Sequence, residues 1–317
     1  MRIRYRNGKQ PAIKFPAGIF VRTLLLKKKI KTYSLNYYLD TNAIYQLKYI
    51  DNDILANSFY SSLNLVELVG GMTMENFEKR RTLVSRLLES PARYDPVFPD
   101  QLMFEAFDCF SDYEFLELRD TDLAKLVKCA LSSRDWDEFN YQEQKKSLEF
   151  PLRYFVEMDQ QMSTKFYEAS KPGNEEIRSL LPSPGNQQSI EFEGRSYDLK
   201  DRRSIVRFLK EGAINRSFTI CALAERARTN STGFGIRVEE RQVYESYNGL
   251  LEHFLTAMDE YSVDLITHDK NPRRNDFQDL LHVLYLRNRQ ELKIISQDKL
   301  FQNCLPHQTF LLKQPGQ

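Results

Sequence analysis

Four cysteines and four histidines in 317 residues leave little material for a thiolate or imidazole metal cage. Cys109, Cys129, Cys221 and Cys304 are scattered with no C-x-x-C pair, and His253, His268, His282 and His307 are dispersed. Neither a zinc site nor a disulfide framework is expected; the thiols read as small side chains of a reducing compartment. No apolar run approaches the roughly 20 residues that span a bilayer. The opening residues, MRIRYRNGKQPAIKF, lack an apolar core followed by a small-residue cleavage site. The expectation is a soluble, cytoplasmic protein with no membrane partner. Also missing are G-x-S-x-G, a P-loop and a G-x-G-x-x-G at a strand end, so the acyl-transfer, phosphate-loop and dinucleotide classes have no foothold. No internal repeat or low-complexity run is present.

What the chain does have is apolar material and an uneven charge. Hydrophobic residues make up 41% and charged residues 28%, enough to build a core and to exclude a disordered chain. The length suits one large or two moderate domains. The net charge of +1 hides an asymmetry. Residues 1–39 carry ten Lys/Arg and no acid, which leaves 35 bases against 44 acids on the remainder. A basic arm on an acidic body hints at a polyanion partner, although a solvated tail explains it equally well.

Two stretches read as strands feeding helices. Tyr33 to Leu39 is aromatic and apolar and closes on Asp40; Leu292 to Ser296 is followed by Gln297 and Asp298. Ser61–Leu68 and Asn275–Arg289 show apolar residues at helical spacing, and Thr309–Lys313 reads as a last strand. Short strands alternating with helices predict an α/β fold with a parallel sheet. Residues 91–261 differ: the periodic segments Gln101–Cys109, Asp120–Leu131, Arg202–Arg228 and Glu239–Glu260 are helical. They are broken at Pro91, Lys171-Pro-Gly-Asn, Leu181-Pro-Ser-Pro-Gly-Asn186 and Asn230–Gly235. Gln188–Leu199 reads as a hairpin or extended loop. The predicted organisation is a basic arm (1–32), an α/β domain split between 33–90 and 262–317, and a mainly helical insertion (91–261).

The candidate chemistry lies in carboxylates. Asp40 and Asp298 follow strands, where an Asp commonly caps the next helix. Asn64 and Glu67 have the spacing of a capping box, and Asp276 and Asp279 repeat it. Taken singly, each acid has this structural explanation. Jointly they stand where open parallel sheets place ligands, beyond the carboxyl ends of the strands. Carboxylates gathered together repel one another unless a cation neutralises them. Mg²⁺ and Mn²⁺ take such hard oxygen ligands, and a carboxylate-only site suits metal-assisted hydrolysis of a phosphate ester.

Four segments carry a resemblance: Tyr38-Leu-Asp40-Thr-Asn-Ala-Ile44, Ser61-Ser-Leu-Asn-Leu-Val-Glu67-Leu, Asn275-Asp-Phe-Gln-Asp279-Leu-Leu-His-Val-Leu284 and Ile294-Ile-Ser-Gln-Asp298-Lys-Leu-Phe301. In this order they resemble the acidic motifs of PIN-domain nucleases, over about 33–75 and 262–313. The resemblance implies a three-layer α/β/α core with a parallel sheet, here interrupted by the helical insertion. It implies one or two Mg²⁺ or Mn²⁺ ions on Asp40, Glu67, Asp279 and Asp298, with Asp276 as an additional or alternative ligand. Asn42 is read as orienting Asp40. Arg273 and Arg274 are candidate phosphate contacts, with solvated loop arginines as the plainer reading. Asp269 imitates the fourth motif but precedes the Asp279 helix and is set aside, and His282 is read as packing.

The implied activity is endonucleolytic cleavage, with single-stranded or structured RNA favoured. A DNA-directed nuclease and a non-catalytic nucleic-acid or protein binding module are the alternatives. A protein inhibitor of antitoxin type and a homodimer are further partners the family allows. The chain departs from compact members in the long interval between Glu67 and Asp279. The most basic stretch of the insertion, 195–241, has 11 Lys/Arg against 6 Asp/Glu, which suits tracking a nucleic-acid backbone but is common on ordinary helical surfaces.

Overall fold

Five short strands hydrogen-bond side by side, all parallel: β1 (Tyr37–Leu39), β2 (Ser58–Ser61), β3 (Arg93–Asp95), β6 (Lys293–Ser296) and β7 (Thr309–Leu311), in the order β3-β2-β1-β6-β7. A separate antiparallel hairpin joins β4 (Ser189–Phe192) to β5 (Arg195–Asp198), where the hairpin was expected. The computed structural model describes residues 35–107, 113–180, 189–192, 194–198, 200–211, 245–268 and 270–312, all within the unit Ser34–Gln317. The basic arm, Asp269 and most of the basic stretch 195–241 lie outside the described residues.

The helices are α1 (Thr41–Tyr45), α2 (Asn52–Ala56), α3 (Ser62–Gly70), α4 (Phe77–Glu89), α5 (Pro99–Glu105), α6 (Tyr113–Ser132) and α7 (Trp136–Lys145), then α8 (Leu152–Leu180), α9 (Arg202–Glu211), α10 (Glu252–Thr267), α11 (Arg274–Leu281) and α12 (Lys299–Cys304). Among the described residues no helix is long and apolar enough to cross a membrane.

Side chains alternate across a strand, and here the alternation divides two cores. Tyr38, Phe59 and Ile294 point to one face, against Phe254 of α10, Phe277 and Leu280 of α11 and Phe301 of α12. Leu39, Tyr60 and Ile295 point to the other, against Ile44 of α1, Val66 of α3, Val84 of α4 and Leu126 of α6. A sheet with an apolar core on each face is compatible with a three-layer α/β/α arrangement. Each of these large side chains contributes roughly 1.5–3 kcal/mol on burial.

The expected insertion takes part in this architecture. Arg93–Asp95 lies within 91–261 yet forms the edge strand beside β2, and α5, α6 and α10 fill the two cores. Helix α8 runs unbroken for 29 residues through Pro172, where a break was expected. It packs on α3, α10 and α11.

The expected helix 275–289 also changes form. After Leu281 it tightens into a 3-10 segment, His282–Leu286, and stops at Arg287 and Asn288, both left-handed (φ 46° and 52°). With three residues per turn, positions i and i+3 share a face. His282 and Tyr285 therefore both meet the Tyr38 ring, at centroid distances of 5.7 and 4.9 Å.

Candidate active site

The strand order reverses beside β1: successive strands step outward through β2 and β3 on one side and through β6 and β7 on the other. The carboxyl ends of β1 and β6 border the crevice at that reversal, where open α/β sheets bind ligands. Leu39 and Ile295 are in register, so Asp40 leaves the sheet level with Ser296, and Asp298 follows two residues on at the same end of the sheet. Each caps the helix it opens. Asp40 Oδ1 accepts from the Ala43 amide at 2.6 Å, and Asp298 Oδ1 from the Leu300 amide at 2.7 Å.

Ser296 joins the two. Its hydroxyl donates to Asp40 Oδ2 at 2.5 Å and accepts from the Asp298 amide at 2.9 Å. A hydroxyl has one proton and two lone pairs, so both contacts are met with consistent polarity. Asn42, by contrast, is exposed. The groups that orient Asp40 are Ser296 and the Ala43 amide, not Asn42.

Glu67 projects from the middle of α3. The cap there is Ser61, whose amide donates to Asn64 Oδ1 at 2.8 Å; the expected box from Asn64 to Glu67 is therefore shifted by three residues, which frees Glu67. Its Oε2 takes a short hydrogen bond from the Thr41 hydroxyl and another from His282 Nε2 at 3.1 Å. Thr41 in turn accepts from Asn64 Nδ2 at 3.2 Å. His282 Nδ1 lies 2.6 Å from the Tyr38 hydroxyl, which also meets Ser61 Oγ at 2.9 Å. His282 is packed, as expected, but it is also hydrogen-bonded to a candidate ligand.

The electrostatics tie the four acids together. Burial raises Asp40 to about 6, against the pull of His282 and of the Ser296 and Ala43 hydrogen bonds. Burial, with Glu67, Asp298 and Asp40 adding repulsion, raises Asp279 to about 7 despite His282. Burial by itself would lower His282; the charges of Glu67, Asp40 and Asp279 outweigh it and raise the imidazole to about 9. In its protonated form the imidazole donates from both ring nitrogens, to Glu67 and to the Tyr38 hydroxyl. One buried cation thus sits among acids that disfavour one another.

Other residues are placed elsewhere. Asp276 Oδ2 accepts from the Tyr261 hydroxyl at 2.6 Å, a link from α11 to α10, and the charges that act on Asp40 and Asp279 are those of His282, Glu67 and the other crevice acids rather than of Asp276. Arg274 donates to the Gln160 carbonyl of α8 at 3.1 Å, and Arg273 is exposed at the cap of α11.

Among the described residues no three His, Cys, Asp or Glu side chains form a ready-made metal cage. The donor set itself fits a hard dication: four carboxylates, two raised by one another's charge and by burial, with lone pairs beyond those already engaged. Compared with protein-family models, curated proteins and solved structures, the chain matches none.

Sequence reasoning missed Tyr38, Thr41, Ser61, Asn64 and Ser296 as supports. Two signals were available. His282 stands three residues after Asp279, on the same helix face, and Ser296 precedes Asp298 by two at a strand end.

Proposed function

We propose that the chain is a metal-dependent nuclease of the PIN kind that hydrolyses phosphodiester bonds, with RNA the favoured substrate. The observation that carries this reading is the joining of Asp40 and Asp298 through Ser296 at the sheet's reversal point, with Glu67 and Asp279 near enough to perturb their neighbours.

Asp40, Glu67, Asp279 and Asp298 would hold one or two Mg²⁺ or Mn²⁺ ions. When bound, such ions lower the pKa of a water and offset charge at phosphorus. The chain's own contribution is positioning. Ser296 fixes Asp40 against Asp298; Thr41 and His282 fix Glu67. The Asp279 carboxylate carries no hydrogen bond among the described residues and the residue is half-buried, so it is the acid with most freedom to turn toward an incoming group. Its pKa of about 7 suits the transfer of a proton at neutral pH.

The test is incubation of purified protein with labelled single-stranded RNA, single-stranded DNA and duplex, with Mg²⁺ or Mn²⁺ and with excess chelator. Metal-dependent cleavage lost in Asp40→Asn and Asp298→Asn is expected. Cleavage that persists in chelator or in both variants sinks the assignment. Binding without cleavage by every form favours the non-catalytic module.

A further inference from the structure

The helix face that carries Thr41 continues beyond the acids. Thr41, Tyr45 and Lys48 follow one another at helical spacing through α1 and the 3-10 turn Leu47–Tyr49. At the far end of that face an open cleft of about 450 Å³ lies between this segment and α4, lined by Tyr45, Lys48, Lys79 and Arg86. The three cations are exposed. Glu78 borders the same cleft, but its carboxylate is turned to Arg81 at 2.6 Å.

Cations and rings interleave here. Lys79 Nζ lies 5.6 Å from the centre of the Tyr45 ring, and Lys48 Nζ 4.5 Å from that of Tyr49, which is 48% exposed. Single strands are held by this pairing, phosphate on cation and base on ring. The spacing also suits. Tyr45, which lines the cleft, stands five positions beyond Asp40 along α1, roughly 7.5 Å at 1.5 Å per residue. That is about two steps of a stacked strand at roughly 3.4 Å per nucleotide.

We infer that this cleft holds the single strand on one side of the bond to be cut, with Lys48, Lys79 and Arg86 on its phosphates and Tyr45 against a base. The inference rests on the nuclease reading and adds to it the surface that holds the strand. A ring reaches a base face only where the stack is open, so the strand is single rather than duplex.

The test is fluorescence anisotropy of the full chain with a labelled oligouridylate of about 12 nucleotides, inside the range of single-strand site sizes, in the absence of divalent ions. A duplex of the same length and polyglutamate run alongside. Lys79→Ala/Arg86→Ala is expected to weaken binding by about tenfold or more and to make the dependence of log K on log salt shallower by about 1.4, or 0.7 for each lost phosphate contact. Tyr45→Ala is expected to weaken it by roughly fivefold or more, and Lys79→Arg to retain it. Unchanged affinity and slope in the double variant overturn the inference. Equal binding of polyglutamate also overturns it and assigns the cleft to an acidic polypeptide. Cleavage by the wild type together with cleft-independent binding removes this inference alone. Cleft-dependent binding without any cleavage removes the nuclease reading and leaves strand binding in place.

Discussion

His282 Nε2 stands 3.1 Å from Glu67 Oε2, and the imidazole is a buried cation among acids that raise its pKa to about 9. The folded protein thus holds protons at His282, Asp40 and Asp279 more tightly than the unfolded chain does. All three act with the same sign. The stability they contribute is fully present below the unfolded values and falls as pH rises, through about 6 and 7 for the acids and about 9 for His282. Metal-free protein is therefore expected to melt several degrees lower near pH 9 than near pH 5.5. Asp279→Asn, which removes a charge its neighbours disfavour, is expected to raise the metal-free Tm near pH 8 by a few degrees. Differential scanning calorimetry at both pH values checks this; a Tm that rises with pH contradicts it.

The same protons bear on metal binding. A cation held by Asp40 and Asp279 must displace them, so apparent Mn²⁺ affinity is expected to climb between about pH 5.5 and 7.5. Titration calorimetry in two buffers of different ionisation enthalpy reads the protons released. At pH 6 the expected release is of the order of one proton per site occupied, and no release at all contradicts the assignment.

Ser296→Ala removes the link between Asp40 and Asp298 without touching either acid. Loss of such a supporting hydrogen bond typically costs about 10- to 100-fold in metal affinity or activity. Cleavage rate and Mn²⁺ affinity should fall together by that amount, while far-UV circular dichroism stays as in the wild type.

Arg119 is fully buried, forks onto Asp100 at 2.8 and 3.0 Å and lies 4.0 Å from the centre of the Phe98 ring. It ties α6 to α5. Removing one partner of a buried pair leaves the other uncompensated, so Arg119→Ala is expected to cost about 3–5 kcal/mol in urea unfolding. A milder loss is expected for Arg119→Met/Asp100→Leu, in which no buried charge is left unpaired.

Legibility followed local signal. The β1 and β6 units could be read because an apolar run closes on an acid in each, and α3 because its apolar residues repeat at helical spacing. Strand β2 could not: all four of its residues, Ser58 and Ser61 included, are buried, so no alternation marks it. Strand β3 is Arg-Tyr-Asp at the sheet edge, with two charged residues of three. Pro172 signalled a break that the helix does not make. The acids at the crevice were accessible through their places after strands and in helices. The chain from Tyr38 through His282 to Glu67 was not, because it closes contacts 244 and 215 positions apart, which no local pattern encodes.

The most direct test separates the two acids of α11. Asp279 shares its electrostatics with Asp40, Glu67 and Asp298, whereas Asp276 is held by Tyr261. Mg²⁺- or Mn²⁺-dependent cleavage of single-stranded RNA is to be measured for wild type, Asp279→Asn and Asp276→Asn under one set of conditions. The account predicts a loss of about 100-fold or more for Asp279→Asn, the scale on which removing a group that acts in the transition state is felt, and a change within a few-fold for Asp276→Asn. Wild-type rates in Asp279→Asn, or an equal loss in both variants, would contradict it.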